Sequence, residues 1–174
     1  QLINPKYDMG ALFGKTRRLK YAMPPLGLAY LVAVLEKNNV EVELIDDYVT
    51  DIGIEGIIEK VKEKNPNLVG ISCLTPSALE VYNIAKKIKA LKPDIKIILG
   101  NVHASYFADV ILKGKIADFI VHYEGEYTLL ELVKTIEDDK DIDFIQGISF
   151  LKDSEVIHNP PRPLIKNLDE LPFP

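Results

Sequence analysis

The hydrophobic pattern of this chain predicts a doubly wound α/β fold, and two observations carry that prediction. Short continuous apolar runs rich in β-branched residues recur along the chain, as strands buried on both faces require. Between them lie segments whose apolar residues fall at i, i+3, i+4, i+7, the spacing of a helix packed on one side. In order, the runs are "QLIN" (1–4), "EVELID" (41–46), "LVGIS" (68–72), "IKIILG" (95–100) and "FIVH" (119–122). The helical segments are Leu28/Leu31/Val32/Leu35, Ile54/Ile57/Ile58/Val61, Val81/Ile84/Ala85/Ile88 and Leu129/Leu132/Val133/Ile136, with a shorter helix expected from Tyr106 to Lys113. Alternation of strand and helix implies a parallel sheet covered on both faces. Five strands with five helices suggest a flavodoxin-like (Rossmann-like) five-stranded sheet of order 2-1-3-4-5 over residues 1–145. Two further runs, Gly147 to Leu151 and Glu155 to His158, flank "KDS" and predict a C-terminal β-hairpin extension over 146–159. The Pro-rich stretch 160–174 reads as an extended linker leaving the domain.

Composition bounds the function. The chain has 174 residues, about one domain, with 47% hydrophobic and 27% charged residues, as in an ordinary globular protein. A net charge of −5 argues against a dedicated nucleic-acid binder. No apolar run approaches the ~20 residues of a membrane span, and no signal peptide is visible. The single cysteine, Cys73, excludes an internal disulfide framework and any cysteine-ligated cluster within this stretch, and fits a cytoplasmic setting. His103, His122 and His158 lie far apart in sequence, so no metal-ligand set and no catalytic constellation is evident. The abrupt start at Gln1 and the ending "LDELPFP" read as a fragment of something longer.

One stretch imitates a phosphate-binding loop. In "MGALFGKTRR", Gly10, Gly14, Lys15 and Thr16 have only Ala11, Leu12 and Phe13 between the glycines, where the loop needs four residues. Pro24 and Pro25 follow, and no apolar periodicity opens a helix. The stretch reads as a long basic surface loop.

In the predicted order, ligands lie beyond the carboxyl ends of the strands, at the switch point between strands 1 and 3. The loop after strand 3, "SCLTPSALE", carries three hydroxyls, Ser72, Thr75 and Ser77. Either Thr75 caps the next helix with Pro76 at its first position, or Ser77 caps it with Glu80 as a capping box. Cys73 reads as a packing residue, since no base neighbours it in sequence. After strand 4, in "LGNVHASYF", Gly100 permits close backbone approach. There His103 is either a ligand contact or a backbone-bonded loop residue, and Ser105 is expected to cap the following helix. After strand 5, in "HYEGEYTLLEL", Thr128 and Glu131 predict a capping box, and Glu124 to Glu126 form an acidic loop suited to accept from amides and hydroxyls. A phospho-receiver would need an aspartate ending strand 3 and a lysine ending strand 5, where this chain has Ser72 and His122.

Taken in register, "LINP", "PPLGLAYLVAVLEKN", "EVELID", "LVGISCLTPSA", "IKIILGNVHAS", "DFIVHYEGEYTLLEL" and "NLDELPFP" closely resemble the N-terminal cobalamin-binding domain of cobalamin-dependent radical S-adenosylmethionine enzymes. That family includes anaerobic magnesium-protoporphyrin ester cyclase-like proteins and many methyltransferases. The resemblance spans Leu2 to Pro174. It implies that cobalamin lies on the carboxyl ends of the strands, with its nucleotide tail in a cleft between sheet and helices. Ser72 and Leu74 match the family's Ser-x-Leu element beside the tail, with Thr75 and Ser77 available to it. Gly70 and Gly100 would leave room for the tail, and Glu124, Gly125 and Glu126 match a Glu-Gly-Glu loop. Asn101 departs from a usual Gly-Gly pair; it either narrows the cleft or is tolerated because Asn accepts αL geometry. No lower-ligand histidine matches, since Asp8 is followed by Met9, Gly10 and, in the Gly position, Phe13. The expectation is cobalt without a histidine ligand. Lys15, Arg17, Arg18 and Lys20 would border the corrin or remain solvated.

The resemblance further implies a division of labour. This domain holds cobalamin for methyl transfer or related radical chemistry, while a following radical SAM domain supplies a 4Fe-4S cluster and S-adenosylmethionine. A different class of reading is a stand-alone sensory or partner-interaction domain of the same fold, using its nearly all-apolar first helix, Leu26 to Leu35, as an interface. A third is a family member that has lost cobalamin binding.

Overall fold

A computed structural model describes residues 1–6 and 24–174. The chain begins with β1 (Leu2–Asn4), then α1 (Leu26–Lys37), β2 (Leu44–Asp46), a single turn α2 (Asp47–Thr50) and α3 (Gly53–Lys64). It continues with β3 (Leu68–Ser72), a 3-10 turn (Thr75–Ser77), α4 (Ala78–Leu91) and β4 (Lys96–Gly100). Then come α5 (Val102–Tyr106), α6 (Ala108–Lys113), β5 (Phe119–Val121), α7 (Glu126–Glu137), β6 (Ile148–Lys152) and β7 (Glu155–His158).

The strands form one sheet of order β2-β1-β3-β4-β5-β6-β7. The first five are parallel, and the β6–β7 hairpin joins the β5 edge antiparallel. The predicted order and hairpin are both present. Its turn residues, Asp153 and Ser154, both have positive φ, the backbone a two-residue hairpin turn demands.

Side-chain alternation along each strand builds two cores. Ile3, Ile45, Val69, Ile71, Ile97, Leu99 and Ile120 pack under α3, α4, α5 and α6. Leu2, Ile98, Phe119, Val121, Ile148 and Phe150 pack under α1 and α7. Short strands suffice because, Ser149 on β6 apart, no buried strand position carries a polar side chain. At the β2 end, buried Asp47 accepts from the amides of Ile52 (2.8 Å) and Gly53 (3.0 Å), which accounts for a carboxylate in the interior. Cys73 is fully buried, and burial pushes its thiol up to about 12, so it packs and does not react.

Four local expectations are corrected. The helix expected over Tyr106 to Lys113 is two helices that meet at Phe107. Ser105 lies inside α5, and Asn101 caps that helix instead, its side chain accepting from Val102 N at 2.8 Å. The Thr128–Glu131 capping box does not form, because α7 starts earlier, at Glu126. Both side chains serve a tertiary partner: Arg162 Nε donates to Thr128 Oγ1 at 2.8 Å, and the guanidinium pairs with Glu131. The stretch from Pro160 is accordingly bound to the domain at least as far as Ile165, whose amide donates to Glu124 Oε2 at 2.6 Å.

The hairpin is also locked from below. His122 Nε2 lies 2.7 Å from the buried Ser149 Oγ, which lies 2.7 Å from His158 Nδ1, and His158 Nε2 lies 3.2 Å from Asp109 Oδ2 on α6. One hydroxyl donates only once. The Ser149 hydrogen therefore goes to one of the two histidines, and the other ring donates to the Ser149 oxygen. Burial, and then His158, hold His122 below its usual 6.5. A lowered histidine pKa means the folded state binds fewer protons than the unfolded one, so its contribution to stability is complete above about 6.5 and is lost as pH falls below that value. Thermal melts should therefore show a steeper loss of Tm from about pH 7.5 to about pH 5.5 in the native chain than in His122→Gln. Equal slopes would remove His122 as the cause.

Candidate functional site

The carboxyl ends of β3, β4 and β5 open onto a cavity of about 340 Å³ between the sheet and helices α1 and α7. It lies beside β1 and β3, where strand order reverses, as a doubly wound sheet requires. Its floor is shaped by two glycines that point to the α1/α7 face. At Gly70 a β-carbon would come 2.6 Å from Leu2 Cδ2; at Gly100 it would meet nothing nearer than Val121 O at 3.7 Å. Side chains at either position would fill the space.

Seven residues expected from the sequence line this cavity: Gly70, Ser72, Gly100, Asn101, Glu124, Gly125 and Glu126. They come from three loops far apart in sequence. The register pairs Ser72 with Gly100 across β3 and β4, and Asn101 Nδ2 donates to Ser72 Oγ at 3.2 Å. Asn101 is not in αL geometry. Its φ of 79° and ψ of 174° fall where glycine is essentially the sole comfortable residue, at a cost of about 1–3 kcal/mol for a side chain.

The acidic loop divides its work. Glu124 Oε2 is taken by the Ile165 amide, and Gly125 lets the loop close on Leu31, 3.3 Å from where a β-carbon would stand. One carboxylate oxygen of Glu126, Oε2, is buried with no hydrogen-bond partner among the described residues. An orphan acceptor in a cavity wall wants an N–H or O–H donor.

Leu74, Thr75, Ser77 and His103 do not line the cavity. Ser77 is buried and engaged with one neighbour, donating from Oγ to Leu74 O at 3.1 Å and accepting from Leu74 N at 3.3 Å. Ser77 stands at the N-cap position of α4 as one alternative expected, but its hydroxyl is spent on Leu74 and makes no cap bond to the helix. His103 Nδ1 lies 3.2 Å from Thr75 Oγ1, its Nε2 lies 3.0 Å from Tyr82 OH, and its ring rests 4.5 Å from that of Phe107. Burial lowers the His103 pKa, so the ring is a neutral packing and hydrogen-bonding group under α4 and α5.

Several lining residues had no local signal. Leu28 and Leu31 of α1 form the cavity's outer wall, with Leu2, Ile98 and Val121 from the sheet beneath. The nearly all-apolar α1 was the available clue, since an ordinary amphipathic helix would not need its second apolar flank. The Asp8–Phe13 segment and the basic residues Lys15, Arg17, Arg18 and Lys20 lie outside the described residues. Among the described residues, no group of three or more His, Cys, Asp or Glu side chains is placed to hold a metal ion, and no helix is long and apolar enough to cross a membrane. A second cavity, of about 540 Å³, opens at the amino ends of the strands between Glu41, Glu43, Lys64 and Glu137; Leu2 and Leu129 line both. Ligands of such sheets bind at the carboxyl ends, so the smaller cavity is the candidate.

The family model of the B12 binding domain matches residues 16–133. The chain belongs to the B12-binding domain family. The family resemblance carried by the sequence motifs is thereby borne out. This B12-binding domain is 32% identical over 152 residues to an uncharacterized methyltransferase of Pyrococcus horikoshii, covering 87% of this chain and 33% of that protein. It is 31% identical over 153 residues to the anaerobic magnesium-protoporphyrin IX monomethyl ester cyclase of Synechocystis sp., covering 86% of this chain and 31% of that one. The chain thus spans about a third of the length of these curated relatives. Among solved structures, it is similar to the cobalamin-dependent S-adenosylmethionine radical enzyme OxsB with aqua-cobalamin and S-adenosylmethionine bound. That match has a TM-score of 0.80 and 26% identity, covering 94% of this chain and 22% of OxsB.

Proposed function

We propose that this chain holds cobalamin for a radical S-adenosylmethionine enzyme, and that it performs no chemistry alone. The observation that carries the reading is the glycine-floored cavity beside the switch point of a B12-binding fold. Its volume and mixed lining suit an organic group carrying both donors and acceptors. The apolar wall of Leu28, Leu31, Ile98 and Val121 would bury the flat base of the tail. Ser72 and Asn101 offer donors at the mouth, and Glu126 Oε2 offers an acceptor that has no partner within the chain. Leu74, Thr75, Ser77 and His103 remain proposals only as supports that shape the neighbouring loops.

Cobalamin, when bound, would supply the organocobalt chemistry of methyl transfer or a related radical step. The chain's part is to bind it, orient its exposed face and keep water from its tail. In the longer protein a following radical SAM domain would contribute the 4Fe-4S cluster and S-adenosylmethionine, reached through the stretch 160–174. No histidine of the described residues lines the cavity, in keeping with a cobalt that takes no histidine from this chain. The direct experiment is to incubate the purified chain with hydroxocobalamin, desalt it and record the absorption spectrum. Corrinoid bands should remain with the protein in near-stoichiometric amount; a colourless eluate would refute the proposal.

A further inference from the structure

The mouth of the cavity has two unlike walls. One carries the carboxylates Glu124 and Glu126; the other, at the ends of β3 and β4, carries the neutral groups of Ser72 and Asn101. Asn101 spends its Oδ1 on Val102 N and one amide hydrogen on Ser72 Oγ. Among the described residues, its second amide hydrogen and the Ser72 hydroxyl hydrogen have no protein acceptor.

The backbone of Asn101 makes that arrangement informative. At φ 79° and ψ 174° a glycine would sit without strain, and glycine replaces a helix-capping residue at little cost. Strain of this kind persists where the side chain does something that glycine cannot. Beyond its cap on Val102 and its bond to Ser72, asparagine provides at this position a second amide hydrogen in a residue that lines the cavity. An anion entering this mouth gains charge-assisted hydrogen bonds on the β3–β4 wall and meets like charge on the opposite wall.

Resting on the cofactor reading above, we propose that Asn101 is a specificity-determining residue: its amide donates to the phosphodiester of the corrinoid's nucleotide tail, which lies against the β3–β4 wall beside Ser72. The strained asparagine is thus exchanged for selectivity between corrinoids that carry this anion and those that do not. The side chain is exposed, so the donor is open to an entering ligand.

The test uses the full 174-residue chain and two probes, cobalamin and cobinamide, the latter lacking the nucleotide and its phosphodiester. Asn101→Gly should bind cobalamin about tenfold more weakly, as expected for a lost hydrogen bond to a charged group, while cobinamide binding is unchanged. Its Tm should rise, because the backbone strain is relieved; a side chain with a merely structural role would leave cobalamin affinity untouched. Asn101→Asp keeps the shape and the Oδ1 cap but puts a carboxylate where the donor was. It should weaken cobalamin further and again spare cobinamide. Should Asn101→Gly match the native chain for cobalamin, or should both variants weaken the two corrinoids alike, the assignment is overturned while the cofactor reading stands. Should the native chain retain neither corrinoid, both fall together.

Discussion

Replacing Gly100 with leucine is expected to leave the fold standing and to weaken the proposed binding of cobalamin. Gly100 ends β4, pairs in register with Ser72 and is partly exposed, and its φ lies outside the positive range that would demand glycine. A β-carbon there meets nothing nearer than 3.7 Å, so the new side chain can enter the cavity without displacing the core. Stability should stay within about 1 kcal/mol of the native chain. Cobalamin affinity should fall about 10- to 100-fold, the equivalent of about 1.4–2.8 kcal/mol of overpacking in the space the tail would occupy. Equilibrium dialysis and a denaturation curve on the same preparation separate the two effects. Undiminished affinity would mean that the tail lies elsewhere. The same substitution at Gly70 is a poorer test, because its β-carbon already collides with Leu2 and would confuse loss of fold with loss of ligand.

Deleting residues 160–174 is expected to cost about 2–5 kcal/mol of stability, from several hydrogen bonds at about 0.5–1.5 kcal/mol each and a buried hydroxyl left unpaired. Gly147 N loses Pro160 O at 2.8 Å, at a glycine whose φ of +79° no other residue adopts easily. Thr128 Oγ1, in a residue with no exposed surface, loses Arg162 Nε, and Glu124 loses the Ile165 amide. Urea titration should show a lower midpoint with a similar slope. A truncated chain as stable as the full one would show that the segment merely rests on the surface. Arg162→Ala should reproduce part of the loss, since it strips Thr128 and Glu131 of the same partner.

The behaviour of that segment shows where sequence reading stops. Prolines at 160, 161 and 163 argue against helix, and the stretch is free of regular structure until the 3-10 turn Leu168–Glu170, but proline content says nothing about what such a segment leans on. The Thr128 and Glu131 spacing matched a capping box because local capping chemistry and a tertiary arginine site both need a hydroxyl and a carboxylate three residues apart. Arg162, 34 residues on from Thr128, decided between them. The same ambiguity separated the candidate site into two groups. Gly70, Ser72, Gly100 and Glu126 come to one cavity because strand period and topology put them there. Thr75, Ser77 and His103, equally suggestive as residue types, turn to the α4/α5 side and satisfy one another or the backbone.

The amino-acid sequence by itself determined the layer architecture and the strand order with its added hairpin. These follow from hydrophobic period and from short-range backbone rules, which act within a few residues. Only the tertiary structure decided which loop hydroxyls and carboxylates remain open to a ligand. That outcome depends on hydrogen-bond partners brought from distant parts of the chain, and on the 79° φ of Asn101, which no local propensity of asparagine predicts.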